Sequence, residues 1–155
     1  MIPVYAVLGH PNEGKSSVVA TLAEDERVRI SPLPGATTAC ESHALLIQGK
    51  ACLHLIDTPG FQNPGAVLEA FSKHQGTEAE LIPAFLQAHA GDSRFHHDVE
   101  LLKPLADRAA ILYVCDPSRP LREHDRQEME ILRLTGLPRM ALLNRKNRRE
   151  TDLAA

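Results

Sequence analysis

The feature that most constrains the fold is a glycine-bracketed loop near the N-terminus, which reads GHPNEGKS from Gly9 to Ser16. It fits the pattern G-x-x-x-x-G-K-[ST], which joins a strand to a helix. The context agrees, because residues 2–8 are almost all apolar and residues 16–25 have helical spacing of apolar side chains. In such a loop, backbone N–H groups and the positive end of the helix face the same anion. The motif therefore predicts a phosphate-binding loop, a Walker A motif.

Individual loop residues have distinct expected roles. Lys15 is expected to reach the β- and γ-phosphates, and the Ser16 hydroxyl is expected to ligate Mg²⁺. The side chain of His10 is expected to point away from the phosphates. The remaining candidate nucleotide contacts come from the loop and the first turn of the helix: Gly9, Asn12, Glu13, Gly14 and Ser17.

A second candidate motif, Asp57-Thr58-Pro59-Gly60, follows a predicted strand. A carboxylate at Asp57 can hold Mg²⁺ through water, and Gly60 can donate its backbone N–H to a γ-phosphate. The same four residues also make a good turn sequence. The functional interpretation therefore depends on the phosphate-binding loop that precedes them. Thr37 and Thr38, in a turn-rich segment, could supply a further hydroxyl to Mg²⁺.

The order of predicted elements indicates an α/β fold with a mostly parallel sheet. Residues 43–47 and 51–56 are strand candidates around a short turn, which predicts a hairpin and one antiparallel edge strand. The connection after Gly60 is too long to lack structure, and its spacing predicts three helices. Thr77 and Glu80 form a predicted capping pair, and Pro83 is expected to kink that helix or move its start.

Further helices and strands follow this connection. Asp125 and Glu128 are the predicted capping pair of a helix between strands that begin near residues 109 and 139. His96, His97 and Asp98 could imitate a metal cluster. Adjacent helical residues point about 100° apart, so we expect them not to share one ion.

Composition indicates a soluble single-domain protein. Its 155 residues suit one domain, 1–155, with 43% hydrophobic and 24% charged residues. The net charge of −3 argues against a dedicated duplex-DNA binder, and no stretch approaches the ~20 apolar residues of a membrane span. Three widely spaced cysteines suit reduced thiols, so a cytoplasmic location is expected. One basic cluster is interpreted as a solvated tail, with a phosphate or RNA contact as the alternative: Arg145, Lys146, Arg148 and Arg149.

Together the motifs resemble those of the Era- and TrmE-type bacterial GTPases of the translation-factor-related class. GHPNEGKSS is similar to the G-x-P-N-x-G-K-S-[ST] loop of that family, and the order of motifs matches over residues 2–144. The resemblance implies a three-layer P-loop NTPase fold with a guanine nucleotide, GTP or GDP, across the C-terminal edge of the sheet. It also implies that Thr38 is the switch threonine, with Thr37 as the fallback, and that residues 61–108 form an enlarged switch and helical segment.

The resemblance also concerns the extent of the chain. It suggests the N-terminal GTPase domain of a longer bacterial GTP-binding protein. The chain stops before the final strand and helix of the family pattern. Without that strand, the edge of the RMALLN strand is expected to be exposed.

One departure from the family pattern concerns the attacking water. Ras-like enzymes orient it with a glutamine directly after the D-x-x-G glycine, and this chain has Phe61 there. Gln62 follows, and on extended backbone its side chain would point the other way. In some relatives without this glutamine, an asparagine at the position of Asn12 helps to bind K⁺. We therefore predict slow hydrolysis and treat K⁺ binding through Asn12 as a hypothesis, the alternative being an unusual loop φ.

A second departure concerns the base. The family reads guanine with N-K-x-D, and here Asn144 has the first position while Asn147 replaces the aspartate. An amide cannot accept both guanine hydrogens. Guanine preference therefore rests on the resemblance, and an ATPase or another purine nucleotidase remains an alternative.

These observations predict a Mg²⁺-dependent GTPase domain that acts as a slow molecular switch. Lys15, Thr38 and Gly60 are the predicted catalytic residues, and Ser16, Thr38 and Asp57 are the predicted metal ligands. The main alternative is a nucleotide-gated binding module with little hydrolysis. The switch segments are the expected contact for a protein or ribonucleoprotein effector, and the oligomeric state stays open, dimerisation included.

Overall fold

The computed structural model describes residues 1–11, 13–23 and 38–145, in which five strands form one sheet. The strands are β1 (Val4–Leu8), β2 (Glu41–Ile47), β3 (Lys50–Asp57), β4 (Ala110–Cys115) and β5 (Arg139–Leu143). Their spatial order is β2-β3-β1-β4-β5. Neighbouring strands are parallel except for β2, which is antiparallel to β3. The predicted parallel sheet with one antiparallel edge strand is confirmed.

Helices occupy the connections between the strands. They are α1 (Lys15–Ala23), α2 (Pro64–Lys73), α3 (Glu78–Ala88), α4 (His96–Ala106) and α5 (Glu123–Leu134), with a 3₁₀ turn at Ser93–Phe95 before α4. The three helices predicted after Gly60 are therefore present as α2, α3 and α4. No helix in the described part of the chain is both long and apolar enough to cross a membrane.

Strand alternation decides which helices cover each face of the sheet. Ala6 and Leu8 pack in a large cluster with side chains of α2 to α5, whereas Val7 packs with Val18 and Val19 of α1. Successive strand residues point to opposite faces, so β1 is buried on both sides. The result is the three-layer α/β arrangement that the resemblance implied.

The structure corrects one local expectation and part of another. α5 begins at Glu123, and the Asp125 carboxylate accepts the backbone N–H of Arg122 at 2.8 Å. The predicted cap pair of Asp125 with Glu128 is therefore wrong. Asp125 lies within the first turn of α5, and its carboxylate accepts the N–H of the residue that precedes the helix. Pro83 lies inside α3, which begins at Glu78, so the expected shift of the helix start is wrong, whereas the expected kink stays a prediction.

The start of α3 has the predicted capping pair, since the Thr77 N–H donates to the Glu80 carboxylate at 2.8 Å.

β5 lies at one edge of the described sheet, and Met140 and Leu143 are 58% and 67% exposed. The expected exposure of this strand agrees with the structure.

Candidate nucleotide-binding site

The candidate residues meet at the carboxyl edge of the parallel strands. Gly9 follows β1, Asp57 ends β3 and Asn144 follows β5. In open α/β sheets, ligands bind outside this edge because the connecting loops converge there. The structure therefore brings together three motifs that are far apart in the sequence.

The described residues of the loop, 9–11 and 13–16, make local hydrogen bonds. Gly14 has a φ of +84°, in the left-handed region that favours glycine. The Glu13 N–H donates to the His10 carbonyl at 3.2 Å. Lys15 begins α1, is 7% exposed, and its Nζ donates to the same carbonyl at 3.1 Å. The lysine therefore folds back across the loop, and the positive end of α1 faces the same region.

The candidate metal ligands on α1 and β3 are in direct contact. The Ser16 hydroxyl donates to Asp57 Oδ2 at 2.6 Å, and Asp57 is 3% exposed. Burial raises the pKa of Asp57, while the hydrogen bond from Ser16 and the charge of Lys15 act in the opposite direction. A buried carboxylate beside a serine hydroxyl and a lysine is the oxygen-rich, partly neutralised arrangement that suits Mg²⁺ with phosphate. Ser17, the next residue of α1, is partly buried.

Asn144 joins the last strand to the phosphate-binding loop. Its Nδ2 donates to the Glu13 carbonyl at 3.1 Å, and its backbone N–H donates to the Cys115 carbonyl at 2.8 Å. The side chain expected at the base therefore also supports the loop. Several sequence-predicted residues lie outside the described ranges: Asn12, Thr37, Lys146, Asn147, Arg148 and Arg149.

Thr38 lies before β2, and Gly60 lies after β3. Thr38 is exposed and precedes β2, whose residue Glu41 pairs with Asp57. Gly60 lies against the loop, since a Cβ added to it would come within 2.6 Å of Pro11 Cγ and 2.9 Å of Pro11 N. This contact leaves no space for a larger residue at position 60.

The two residues after Gly60 diverge as expected. Phe61 is 3% exposed and packs in the large core cluster. Gln62 is exposed, and its Oε1 accepts the backbone N–H of His97 at 3.3 Å. The phenylalanine is therefore a core residue, and the glutamine side chain is directed to α4.

A buried ionic network that the sequence did not predict lies behind the loop. Arg119, in the connection between β4 and α5, donates its Nε to Glu13 Oε1 at 3.0 Å and its Nη1 to Asp125 Oδ2 at 2.6 Å. Glu13 and Asp125 are 5% and 2% exposed. The guanidinium lowers the pKa of Asp125 to about 2, mainly by these hydrogen bonds. The network attaches the loop to α5.

A second polar contact fixes His10. Its Nδ1 lies 3.1 Å from Glu128 Oε1, and its ring stacks on His124 with 3.8 Å between centroids. Glu128 is fully buried and also accepts the Tyr113 hydroxyl at 2.8 Å. Burial and this acidic neighbour raise the pKa of Tyr113. His10 therefore points away from the loop interior, as expected.

The sequence did hold a signal for the buried acids. Glu128 stands three and four residues before Ile131 and Leu132, and Asp98 has the same spacing to Leu101 and Leu102. Residues at these spacings share one helix face. An acid on an apolar face is a candidate for a buried, hydrogen-bonded role. The hydrogen-bond partner of a buried acid, however, depends on the tertiary structure, and no local sequence pattern predicts the role of Arg119.

Known proteins resemble the chain in sequence and in structure. The family model of the 50S ribosome-binding GTPases matches residues 4–145. The tRNA modification GTPase MnmE of Koribacter versatilis (strain Ellin345) is 31% identical over 111 residues, which covers 69% of this chain and 24% of the relative. The chain therefore spans about a quarter of that relative's length.

Solved structures share the fold. A structure of Era in complex with MgGDPNP and nucleotides 1506–1542 of 16S ribosomal RNA has a TM-score of 0.66 at 19% identity, covering 98% of this chain and 44% of Era. The NFeoB domain of S. thermophilus bound to GDP.AlF4⁻ and K⁺ has a TM-score of 0.58 at 21% identity, covering 98% of this chain and 46% of NFeoB.

The expected resemblance to bacterial P-loop GTPases is thereby confirmed. The family match extends over nearly all of the described chain, and it contains the loop, Asp57, Gly60 and Asn144. By this match and by its similarity to MnmE, the chain belongs to the family of 50S ribosome-binding GTPases.

Proposed function

We propose that this domain binds GTP with Mg²⁺ and hydrolyses it slowly, as a molecular switch. The observation that carries the proposal is the contact of Ser16 Oγ with Asp57 Oδ2 at 2.6 Å, next to the buried Lys15. These residues come from α1 and the end of β3, and they meet beside the loop. Family membership supports the assignment of the nucleotide as a guanine nucleotide.

The donor set beside the loop fits a magnesium ion. Ser16 and Asp57 offer a hydroxyl and a carboxylate, the hard oxygen ligands that Mg²⁺ prefers. Thr38, which precedes β2 at the same edge of the sheet, would add a second hydroxyl. The ion, when bound, neutralises charge on the phosphate oxygens.

The residues of the chain itself account for the rest of the proposed mechanism. Lys15 and the N–H groups of the loop would stabilise the charge that develops on the phosphates as water attacks in line. Gly60 would donate its N–H to the γ-phosphate. Because Phe61 is buried and offers no hydrogen bond, no side chain at that position orients the water. Hydrolysis by the domain alone is therefore expected to be slow.

The central test compares Lys15→Ala with Lys73→Ala. Lys73 lies at the end of α2 and pairs with Glu69 on the surface, so it is a matched lysine away from the site. Titration with a fluorescent GDP analogue should show a Kd increase of about tenfold or more for Lys15→Ala, from lost charge-assisted hydrogen bonds. Lys73→Ala should bind as the wild type does. Equal affinity in the two variants would contradict the proposed site.

Base preference is tested by competition. We propose guanine, supported by the family match, which includes Asn144, the proposed first base-reading residue. GDP, ADP and xanthosine diphosphate should displace the fluorescent analogue with GDP the strongest. Tight displacement by ADP and not by GDP would instead favour the ATPase alternative.

Potassium activation is a separate part of the proposal. The NFeoB structure contains K⁺ with GDP.AlF4⁻, and the proposed asparagine in this chain is Asn12. Hydrolysis should be faster in KCl than in NaCl at equal ionic strength, and Asn12→Ala should remove the difference. Equal rates in the two salts would end this hypothesis.

The effector is proposed to be a ribosomal particle or its RNA, in the cytoplasm. Support comes from the family description and from the rRNA in the Era complex. We assign this contact to residues 38–40 and 61–108, the described parts of the proposed switch segments. Cosedimentation with ribosomal subunits should be stronger with GMPPNP than with GDP. Equal cosedimentation would contradict a nucleotide-gated effector contact.

A further inference from the structure

The backbone just after Gly60 is attached to the first turn of α4 by a buried carboxylate. Asp98 Oδ1 accepts the N–H of Gln62 at 2.8 Å, and Asp98 Oδ2 accepts the N–H of Asn63 at 3.1 Å. Asp98 is fully buried. The Asn63 side chain adds a hydrogen bond to the Arg94 carbonyl. The backbone N–H groups of two consecutive residues therefore donate to the same carboxylate, which belongs to α4.

The chain on the other side of these amides is also confined. Phe61 is buried in the core, and Gly60 packs against Pro11 with no room for a side chain. Only one residue separates Gly60 from the first of the two amides that Asp98 holds. The position of the Gly60 N–H relative to the loop is therefore determined by the core contact of Phe61 and by the hydrogen bonds to Asp98.

Electrostatics makes this attachment costly to break. Burial raises the pKa of Asp98 to about 6, and nearby Glu128 acts in the same direction. The hydrogen bonds from Gln62 and Asn63 oppose the rise. A buried carboxylate without donors is strongly unfavourable, so movement of the segment away from α4 would leave the charge poorly satisfied.

We propose that Asp98 is a positioning residue that holds the Gly60 N–H where a γ-phosphate would accept it, and thereby favours the triphosphate over the diphosphate. The inference rests on the proposed function, because it concerns the same nucleotide site. Gly60 is the proposed sensor of the γ-phosphate, whereas the loop contacts are common to both nucleotides. The effect of Asp98 should consequently appear in the ratio of the two affinities.

The test is Asp98→Asn in the full chain, with Glu100→Gln as the matched control. Glu100 is on the same helix two residues later, and its carboxylate pairs with Lys103. Kd values for GDP and for the non-hydrolysable analogue GMPPNP are measured for each variant. Asp98→Asn should raise the Kd for GMPPNP by about tenfold, as expected for loss of charge-assisted hydrogen bonds. It should change the Kd for GDP by less than about twofold. Glu100→Gln should leave both values unchanged.

A merely structural role for Asp98 gives a different result. Loss of fold integrity would weaken the binding of GDP and of GMPPNP by the same factor and leave the ratio of their Kd values unchanged. This result would overturn the inference. Tighter GMPPNP binding in Asp98→Asn would also overturn it, since Asp98 would then oppose the triphosphate. A wild type that binds neither nucleotide would overturn the proposed function and this inference with it.

A measurement on the wild type keeps the inference testable if Asp98→Asn does not fold. Hydrogen exchange of the Gln62 and Asn63 amides should be slower with GMPPNP than with GDP, since γ-phosphate contact at Gly60 would secure the same segment. Fast exchange of both amides in the GMPPNP complex would overturn the proposal.

Discussion

Replacing Arg119 with methionine tests how the phosphate-binding loop is held. The change removes the guanidinium that donates to the carboxylates of both Glu13 and Asp125. It keeps most of the volume of the side chain. Both acids are almost fully buried, with side chains 6% and 3% exposed. The two negative charges would then face each other without the guanidinium.

The expected loss of stability is large for one surface-proximal residue. Removing one partner of a buried ion pair costs about 3–5 kcal/mol. The lower end applies here, because the Arg119 side chain is 20% exposed and water screens part of its charge. Asp125 also keeps its hydrogen bond from the Arg122 N–H. We therefore expect the free energy of unfolding to fall by about 3 kcal/mol, a substantial part of the stability of an ordinary domain.

Urea unfolding of Arg119→Met and of the control Arg133→Met measures this difference. Arg133 pairs with Glu130 in a similar geometry, with 2.7 Å between Nη2 and Oε1, but the side chains are 58% and 41% exposed. Exposed pairs contribute little, so the control should unfold close to the wild type. Adding Glu13→Gln to Arg119→Met should recover part of the loss. If Arg119→Met is no less stable than Arg133→Met, the buried network does not hold the loop.

Three other changes test the segment after the loop and the helix behind it. Gly60→Ala should weaken GMPPNP binding, because the new Cβ would meet Pro11 at 2.6 Å, whereas Gly65→Ala meets its nearest neighbour at 3.4 Å and should bind normally; equal affinity would refute the close contact. The pKa of Asp98 is raised to about 6, so its protonation should stabilise the fold by about 1 kcal/mol as pH falls from 7 to 5, and this stabilisation is lost as pH rises through 6. Asp98→Asn should lack this change, as measured by urea unfolding at each pH. The same pH dependence of the unfolding free energy in both proteins would refute the prediction. Pro83→Ala should raise the unfolding midpoint, since proline inside α3 costs up to about 3 kcal/mol relative to alanine, and an unchanged or lower midpoint would contradict this.

The phosphate-binding loop could be predicted because its information is local. Eight consecutive residues supply the two glycines, the lysine and the serine, and the strand and helix on either side are marked by their own apolar spacing. The same holds for Asp57 at the end of β3. The meeting of these motifs at one edge also follows from the sequence, since parallel strands present their carboxyl ends together.

The supporting contacts could not be predicted in this way. Arg119 meets Glu13 across 106 positions and His10 meets Glu128 across 118, so neither pair has a spacing that local rules describe. Asp125 illustrates the error that results. Its place near a helix start suggested an N-cap, whereas the fold makes it the partner of Arg119 and of the Arg122 N–H.

The sequence by itself determined the element order, the phosphate-binding loop and the candidate metal ligands, because each was inferred from residues close together in the chain. The tertiary structure alone decided that Phe61 is a core residue, that Asp98 holds the backbone after Gly60, and that Arg119 anchors the loop from behind. The reason is physical: a buried charge is tolerated only where folding supplies its partner, and that partner lies far away along the chain.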